Sequence, residues 1–268
     1  MLDNKFTVVD SHCHIYPEKI AKSAVNNIGR FYGMITLGDG TVNSLLKIGR
    51  QSGIDRFVVQ SVATTPHQVK SINEFIACEV AKHPDKLIGL GTLHPDSDDI
   101  AGDLNHIIDL GLYGVKLHPD IQKFKIDDYR CLKIYELCET QNIPILMHTG
   151  DHRYDFSNPN RLVPILKIYK NLTIIGAHLG GWSVWDEACD KLSGRPNFYV
   201  DSSSSLYELP KDKAAEIIRR YGADRVLFGS DFPVFSPDIE LERFMALPLS
   251  DDERRMILSE NVLNLYRI

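Results

Sequence analysis

Residues 7–14 read TVVDSHCH, an apolar, β-branched run that ends in His12 and His14 on either side of Cys13. Side chains of a strand alternate between its faces, so His12 and His14 point one way and Cys13 the other. Seven more runs of this kind follow: IDRFVVQSVA (54–63), KLIGLGTLHP (86–95), GLYGVKLHP (111–119), IPILMHTG (143–150), LTIIGAHLGG (172–181), NFYVDSSS (197–204) and RVLFGSDFP (225–233). Helical patterns lie between them. In DDYRCLKIYELCETQN (127–142), Cys131, Ile134, Tyr135 and Cys138 make one apolar stripe. Strands alternating with amphipathic helices predict a parallel sheet covered on its faces, and eight such units predict an α/β fold of the (β/α)8 TIM-barrel type. The rival, an open doubly wound sheet, requires a G-x-G-x-x-G turn after an early strand, and the sequence has none.

The 268 residues fit one barrel, so residues 1–268 are expected to form a single domain. A net charge of -6 argues against a general affinity for nucleic acid. No apolar stretch is long enough to span a membrane, and the opening MLDNKFTVVD lacks the features of a signal peptide. Five scattered cysteines with no C-x-x-C pair fit reduced thiols, and a cytoplasmic location is expected. A homodimer is the base-rate expectation for assembly. Two segments fall outside the repeat. Residues 15–40 form a long insertion after the first strand, expected as a lid over the barrel mouth, with a surface helix of no role as the plainer reading. Residues 250–268 open with a capping box, Ser250 to Glu253, and read as a closing helix.

Active sites of such barrels lie at the carboxyl ends of the strands. Those ends carry His12 and His14, then His94, Lys116 with His118, His148, His178, Asp201 and Asp231. A single strand-end histidine is commonly structural, and Asp231 alone reads as a turn aspartate. Convergence of so many on one rim points instead to a site. Neutral imidazole and carboxylate suit zinc, manganese or iron, and three or four protein ligands with one open position make a catalytic centre. His12, His14, His148 and Asp231 supply such a set, with His178 beside it, either supporting the ligands from behind or as a base facing the substrate.

In this order, DSHCH, GVKLHP, MHTG, AHLGG and GSDFP resemble the amidohydrolase superfamily, above all its branch of decarboxylases, lactonases and hydratases. The resemblance implies a (β/α)8 barrel holding one or two divalent metals. By position, His12 and His14 match the H-x-H ligands, His148 the fifth-strand ligand, His178 the sixth-strand histidine and Asp231 the eighth-strand aspartate. In two-metal members a fourth-strand lysine is carboxylated and bridges the ions, which makes Lys116 the ambiguous position. Its plainer reading is a fixed positive charge for an anionic small-molecule substrate. One ion is expected rather than two, zinc first, with manganese and iron as alternatives.

The expected chemistry is hydrolysis of a small cyclic ester or amide, lactone-like, by a metal-activated water. Asp231 would move the proton, His178 would hydrogen-bond the developing oxyanion and Lys116 would add positive charge. His118, Arg153 and Trp182 are the expected substrate-binding residues, Arg153 as a carboxylate clamp. The alternative, using the same ligands, is decarboxylation of an aromatic or muconate-like acid. Nuclease activity on a related barrel is disfavoured, because such proteins carry a glutamate where this chain has Lys116.

Overall fold

The computed structural model describes residues 5–268. Its strands are β1 (Val9–His14), β2 (Arg56–Gln60), β3 (Leu87–Gly89), β4 (Gly91–Thr92), β5 (Val115–Leu117), β6 (Ile145–Met147), β7 (Ile174–Gly176), β8 (Phe198–Asp201) and β9 (Val226–Leu227). All pairs are parallel and run in sequence order, β1 to β3 in one sheet and β4 to β9 in the next. Helices fill the crossovers on the outside, as parallel pairing demands. The return from β9 to β1 is made by backbone bonds from Ser11 N–H to Phe228 O (2.8 Å), Asp231 N–H to His12 O (2.9 Å) and His14 N–H to Phe232 O (2.6 Å). These bonds bring the last strand back to the first, as a barrel requires.

One expected strand, 86–95, is divided into β3 and β4. Leu90 N–H bonds Val59 O on one side, and Gly91 N–H bonds Gly114 O on the other. Beyond that point side chains replace the ladder: the Asn73 amide receives Thr92 N–H (2.8 Å) and donates to Thr92 O (3.1 Å). The Gln122 amide then donates to both Ala63 O and Leu93 O. The run keeps its place while its pairing to β2 lapses.

Val9, Val58, Ile88, Leu146, Ile175 and Leu227 form the inner core, and Val262 and Tyr266 join it from the final helix, Asn261–Tyr266. Burying each of these side chains contributes about 1.5–3 kcal/mol. The capping box forms as expected: Ser250 N–H reaches Glu253 Oε2 (2.7 Å) and Glu253 N–H reaches Ser250 Oγ (3.2 Å). A π-helical turn at Met256–Glu260 then presents Ile257 O to Phe228 N–H, tying the closing helix to the end of β9.

Register at β1 decides where the site lies. Asp10 pairs with Phe57 and Cys13 with Val59, so Ser11 and His12 together oppose one residue of β2. Val9 faces inward and Cys13 packs in the outer core. Unbroken alternation from an inward Val9 would turn both histidines outward. The extra residue of this β-bulge reverses the parity and aims His12 and His14 into the barrel mouth.

The insertion after β1 is helix α1 (Glu18–Tyr32), followed by α2 (Val42–Ser52). Gly33 ends α1 in the left-handed conformation (φ 66°), where glycine has no Cβ penalty. Ala21 and Val25 are buried, while Ile20, Ala24, Ile28 and Phe31 line a cavity over the barrel mouth. The insertion roofs the site, so the reading of a surface helix without a role is set aside. Among the described residues no helix is long and apolar enough to cross a membrane, and all five cysteines are free.

Candidate metal centre

His12 is held from behind. Its Nδ1–H donates to Asp201 Oδ2 (2.8 Å), which leaves a lone pair on Nε2. That Nε2 lies 3.2 Å from His14 Nε2, 3.4 Å from Asp231 Oδ1 and 3.1 Å from Lys116 Nζ. His14 Nε2 is 3.6 Å from the same Asp231 oxygen. The second Asp231 oxygen, Oδ2, receives the Ser204 hydroxyl (2.6 Å). Burial holds His12 and His14 well below the ordinary histidine range and raises the carboxyl of Asp231. Both imidazoles are therefore neutral and able to ligate.

A second pair of histidines sits alongside. Ser203 O can only accept, so His178 Nδ1 donates to it (3.1 Å) and His178 Nε2 is an acceptor. His148 Nδ1–H donates to that Nε2 (2.9 Å), leaving His148 Nε2 with a lone pair, buried and without a hydrogen-bond partner. Burial lowers His178 to about 3 and His148 well below the ordinary range. His118 stacks on His148 with ring centres 3.9 Å apart, and its Nε2 meets the Tyr32 hydroxyl (2.8 Å) at the end of α1.

Backbone strain is concentrated here. His178 (φ 62°), Leu179 (φ 51°) and Asp231 (φ 66°) occupy the left-handed region, at a cost of about 1–3 kcal/mol each. Asp201 Oδ1 accepts His178 N–H (3.1 Å), and His12 O accepts Asp231 N–H (2.9 Å), holding these conformations in place. Strain of this kind persists where the surroundings fix it, typically at functional sites.

The donors fit a divalent ion. Oxygen and nitrogen ligand atoms of His12, His14 and Asp231 lie within 4.8 Å of one another, all on buried residues. The carboxylate–histidine arrangement of Asp201 and His12 is the usual support for a metal-bound imidazole. His148 Nε2, buried and without a hydrogen-bond partner, falls instead in a separate donor group with His118 and Asp120.

The family model described as Amidohydrolase matches residues 9–268. The chain belongs to the amidohydrolase family. It is an enzyme family of metal-dependent barrels. No curated protein matches the sequence. Among solved structures, this amidohydrolase is similar to an uncharacterised TIM-barrel protein from Bordetella bronchiseptica, with 23% identity, TM-score 0.82, and coverage of 98% and 99% of the two chains. A manganese-bound dihydroxybenzoic acid decarboxylase from Polaromonas sp. JS666 shares 16% identity, with TM-score 0.75 and coverage of 98% and 97%. A candidate 2-pyrone-4,6-dicarboxylic acid hydrolase from Pseudomonas putida shares 22%, with TM-score 0.71 and coverage of 98% of each chain. At these identities the likeness establishes the fold.

Of the residues singled out in the sequence of this amidohydrolase, the fold brings His12, His14, Asp231 and Lys116 together. His148 does not converge with them: its Nδ1 is bonded to His178 and its Nε2 lies 3.4 Å from Asp120 Oδ2. His178 presents an acceptor rather than the expected donor to an oxyanion. His118 lines the cavity. Arg153 does not, and its expected role as a substrate clamp is corrected. Its guanidinium is engaged by Asp151, at Oδ1 (2.9 Å) and Oδ2 (2.6 Å), and by Phe31 O (2.8 Å), among the rings of Phe31, Tyr32, Tyr154 and Trp182. Trp182 borders a small pocket that shares Tyr32, His148, His178 and Asp231 with the main cavity. Trp185 is buried and donates to His178 O (3.1 Å), so it supports the loop.

Two contributors carried no assigned role in the sequence. Asp201 was visible only as a strand-end aspartate in VDSSS. Tyr32 had no signal beyond lying in the insertion.

Proposed function

We propose that this amidohydrolase hydrolyses a cyclic ester or amide, lactone-like, with one divalent ion held by His12, His14 and Asp231. The observation that carries the reading is the convergence of the Nε2 atoms of His12 and His14 and one Asp231 oxygen at the floor of a cavity of about 770 Å³. When bound, the ion supplies a Lewis acid that lowers the pKa of a coordinated water toward neutrality. Asp231, its proton affinity raised by burial, takes a proton and returns it to the leaving oxygen or nitrogen. Ser204 holds Asp231 in orientation through Oδ2. Lys116, buried and beside His12, is the donor for the developing oxyanion, while His178 orders His148.

Decarboxylation of an aromatic acid is the second reading. It is favoured by the manganese-bound decarboxylase among the structural neighbours and by Lys116, a buried cation that a carboxylate would take. Elemental analysis of protein purified without added metal, with His12→Ala as control, tests the common basis. One equivalent of zinc, manganese or iron, lost in the variant, supports the site; no metal after reconstitution overturns it. Proton release without carbon dioxide from a substrate panel favours the hydrolase, and carbon dioxide release favours the lyase.

A further inference from the structure

The cavity extends well past the metal residues. At about 770 Å³ it lies toward the upper end of the range for drug-sized ligands, ~300–1,000 Å³, and a bare lactone ring would leave most of it empty. Its floor is polar: His12, His14, Lys116, His148, His178 and Asp231. Its outward arm runs between α1 and α3 (Val69–Lys82) and is walled mainly by Ile20, Ala24, Ile28, Phe31, Ile72 and Phe75, with Lys19, Asn27 and Ser71 as its polar members.

Charge is scarce in that arm. Lys19 is its cation, and no arginine lines any part of the cavity among the described residues. Gln68 on its border is neutral, and its Oε1 accepts from Thr64 N–H (2.9 Å), the Thr64 hydroxyl (2.9 Å) and Thr65 N–H (3.2 Å). A polycarboxylate needs matched cations, preferably forked guanidinium groups, and the arm offers no guanidinium and the single ammonium of Lys19. Ile20 is 47% exposed and Phe75 and Ile72 are half-buried, so these side chains lose apolar contact with water only when something apolar lies between the helices.

We propose that the α1/α3 arm is a subsite for an aliphatic or aryl chain, and that the substrate is a neutral cyclic ester or amide bearing such a chain. This rests on the hydrolytic reading above for the reacting group, but the chain subsite stands on the shape and lining of the arm. The ring sits on the polar floor and the chain follows the apolar walls outward. Each methylene placed there tightens binding by about threefold to fourfold, from about 0.8 kcal/mol per buried CH₂.

Two series run in parallel test this. Ring opening is measured for γ-lactones with 4-alkyl chains from none to octyl. Binding is measured by calorimetry for the unreactive 2-alkylcyclopentanones of matching length, on wild type, Ala24→Trp and Ile72→Asn. Affinity that climbs with chain length in wild type, with an increasingly negative ΔCp, and loses that climb in both variants supports the subsite. Ile72 is half-buried, so the second variant keeps the test usable should Ala24→Trp fail to fold. Affinity independent of chain length overturns the subsite, even if short lactones are opened. Chain-dependent binding with no lactone opened supports the subsite and overturns the hydrolytic reading.

Discussion

His12 and Asp201 are joined across the barrel mouth by a 2.8 Å hydrogen bond between two fully buried side chains. The carboxylate cannot donate, so the proton is on His12 Nδ1 and the opposite nitrogen faces the site. A residue that touches no substrate thereby sets the ligating atom. Asp201→Asn replaces the accepting oxygen with an amide able to present either end. The expected result is a loss of about 10–100-fold in metal affinity, read by competition with a chelator, with secondary structure retained. Unchanged affinity would mean that the tautomer is fixed elsewhere.

Asp231 is placed both to ligate and to carry a proton. Asp231→Asn should lower kcat by at least about 100-fold, in the range of ~10²–10⁴ for general acid–base groups. Ser204→Ala, which frees Oδ2 without removing the carboxylate, should cost much less. Equal losses in the two variants would show that orientation, and not proton transfer, is what Asp231 supplies.

Arg153 fastens the end of α1 to the segment after β6. Arg153→Ala leaves the buried Asp151 carboxylate with only the backbone N–H of residue 153 and releases Phe31 O. Destabilisation of about 1–3 kcal/mol is expected, with faster amide exchange confined to Glu18–Tyr32 and its contacts. Arg153→Lys should recover only part, because a single ammonium cannot span both carboxylate oxygens and the carbonyl. Exchange in α1 equal to wild type would remove the fastening role.

Gly150 has φ +75°, and a Cβ built there would lie 2.5 Å from Gly181 C and 2.6 Å from Trp182 N. Both neighbours are backbone, so neither moves cheaply. Gly150→Ala should cost more than about 3 kcal/mol, combining left-handed strain with overpacking, and lower Tm by roughly 10 °C. A shift of only a degree or two would show that this turn has room the distances deny.

Glu240 supplies a pH prediction away from the metal residues. It is fully buried and pairs with Arg243 through Oε1, while Oε2 has no partner. Burial pushes its carboxyl up to about 7 from an ordinary 4.5. Between those values the folded protein keeps a proton that the unfolded chain has lost, so stability falls as pH rises through the window and levels off above it. The loss is on the order of 3 kcal/mol at most. Glu240→Gln should flatten this part of the pH–stability curve measured by urea denaturation, gaining most above pH 7. Parallel curves for variant and wild type would refute the assignment.

The strand runs were legible because buried parallel strands read as continuous apolar segments, and all but the second ended in histidine, lysine or aspartate. The division at Leu90 was not, since it depends on Asn73 and Gln122 arriving from other elements to take backbone bonds. Arg153 was misread for a related reason. In DHRYDF it reads as an unpaired loop cation, and only the packing of α1 and the burial of Asp151 show where its charge is matched.

Local pattern thus determined the parallel α/β architecture, the closing helix with its capping box, and the histidine and aspartate donors at the strand ends. Those features follow from hydrophobic periodicity and from the chemistry of single side chains, both readable along a chain. Tertiary structure decided which atoms face the site. The bulge that turns His12 and His14 inward is a register shift between two strands, and the lone pair on His12 is set by Asp201 from a strand far along the sequence. Neither leaves a trace in the local pattern, because each is a relation between segments that meet only after folding.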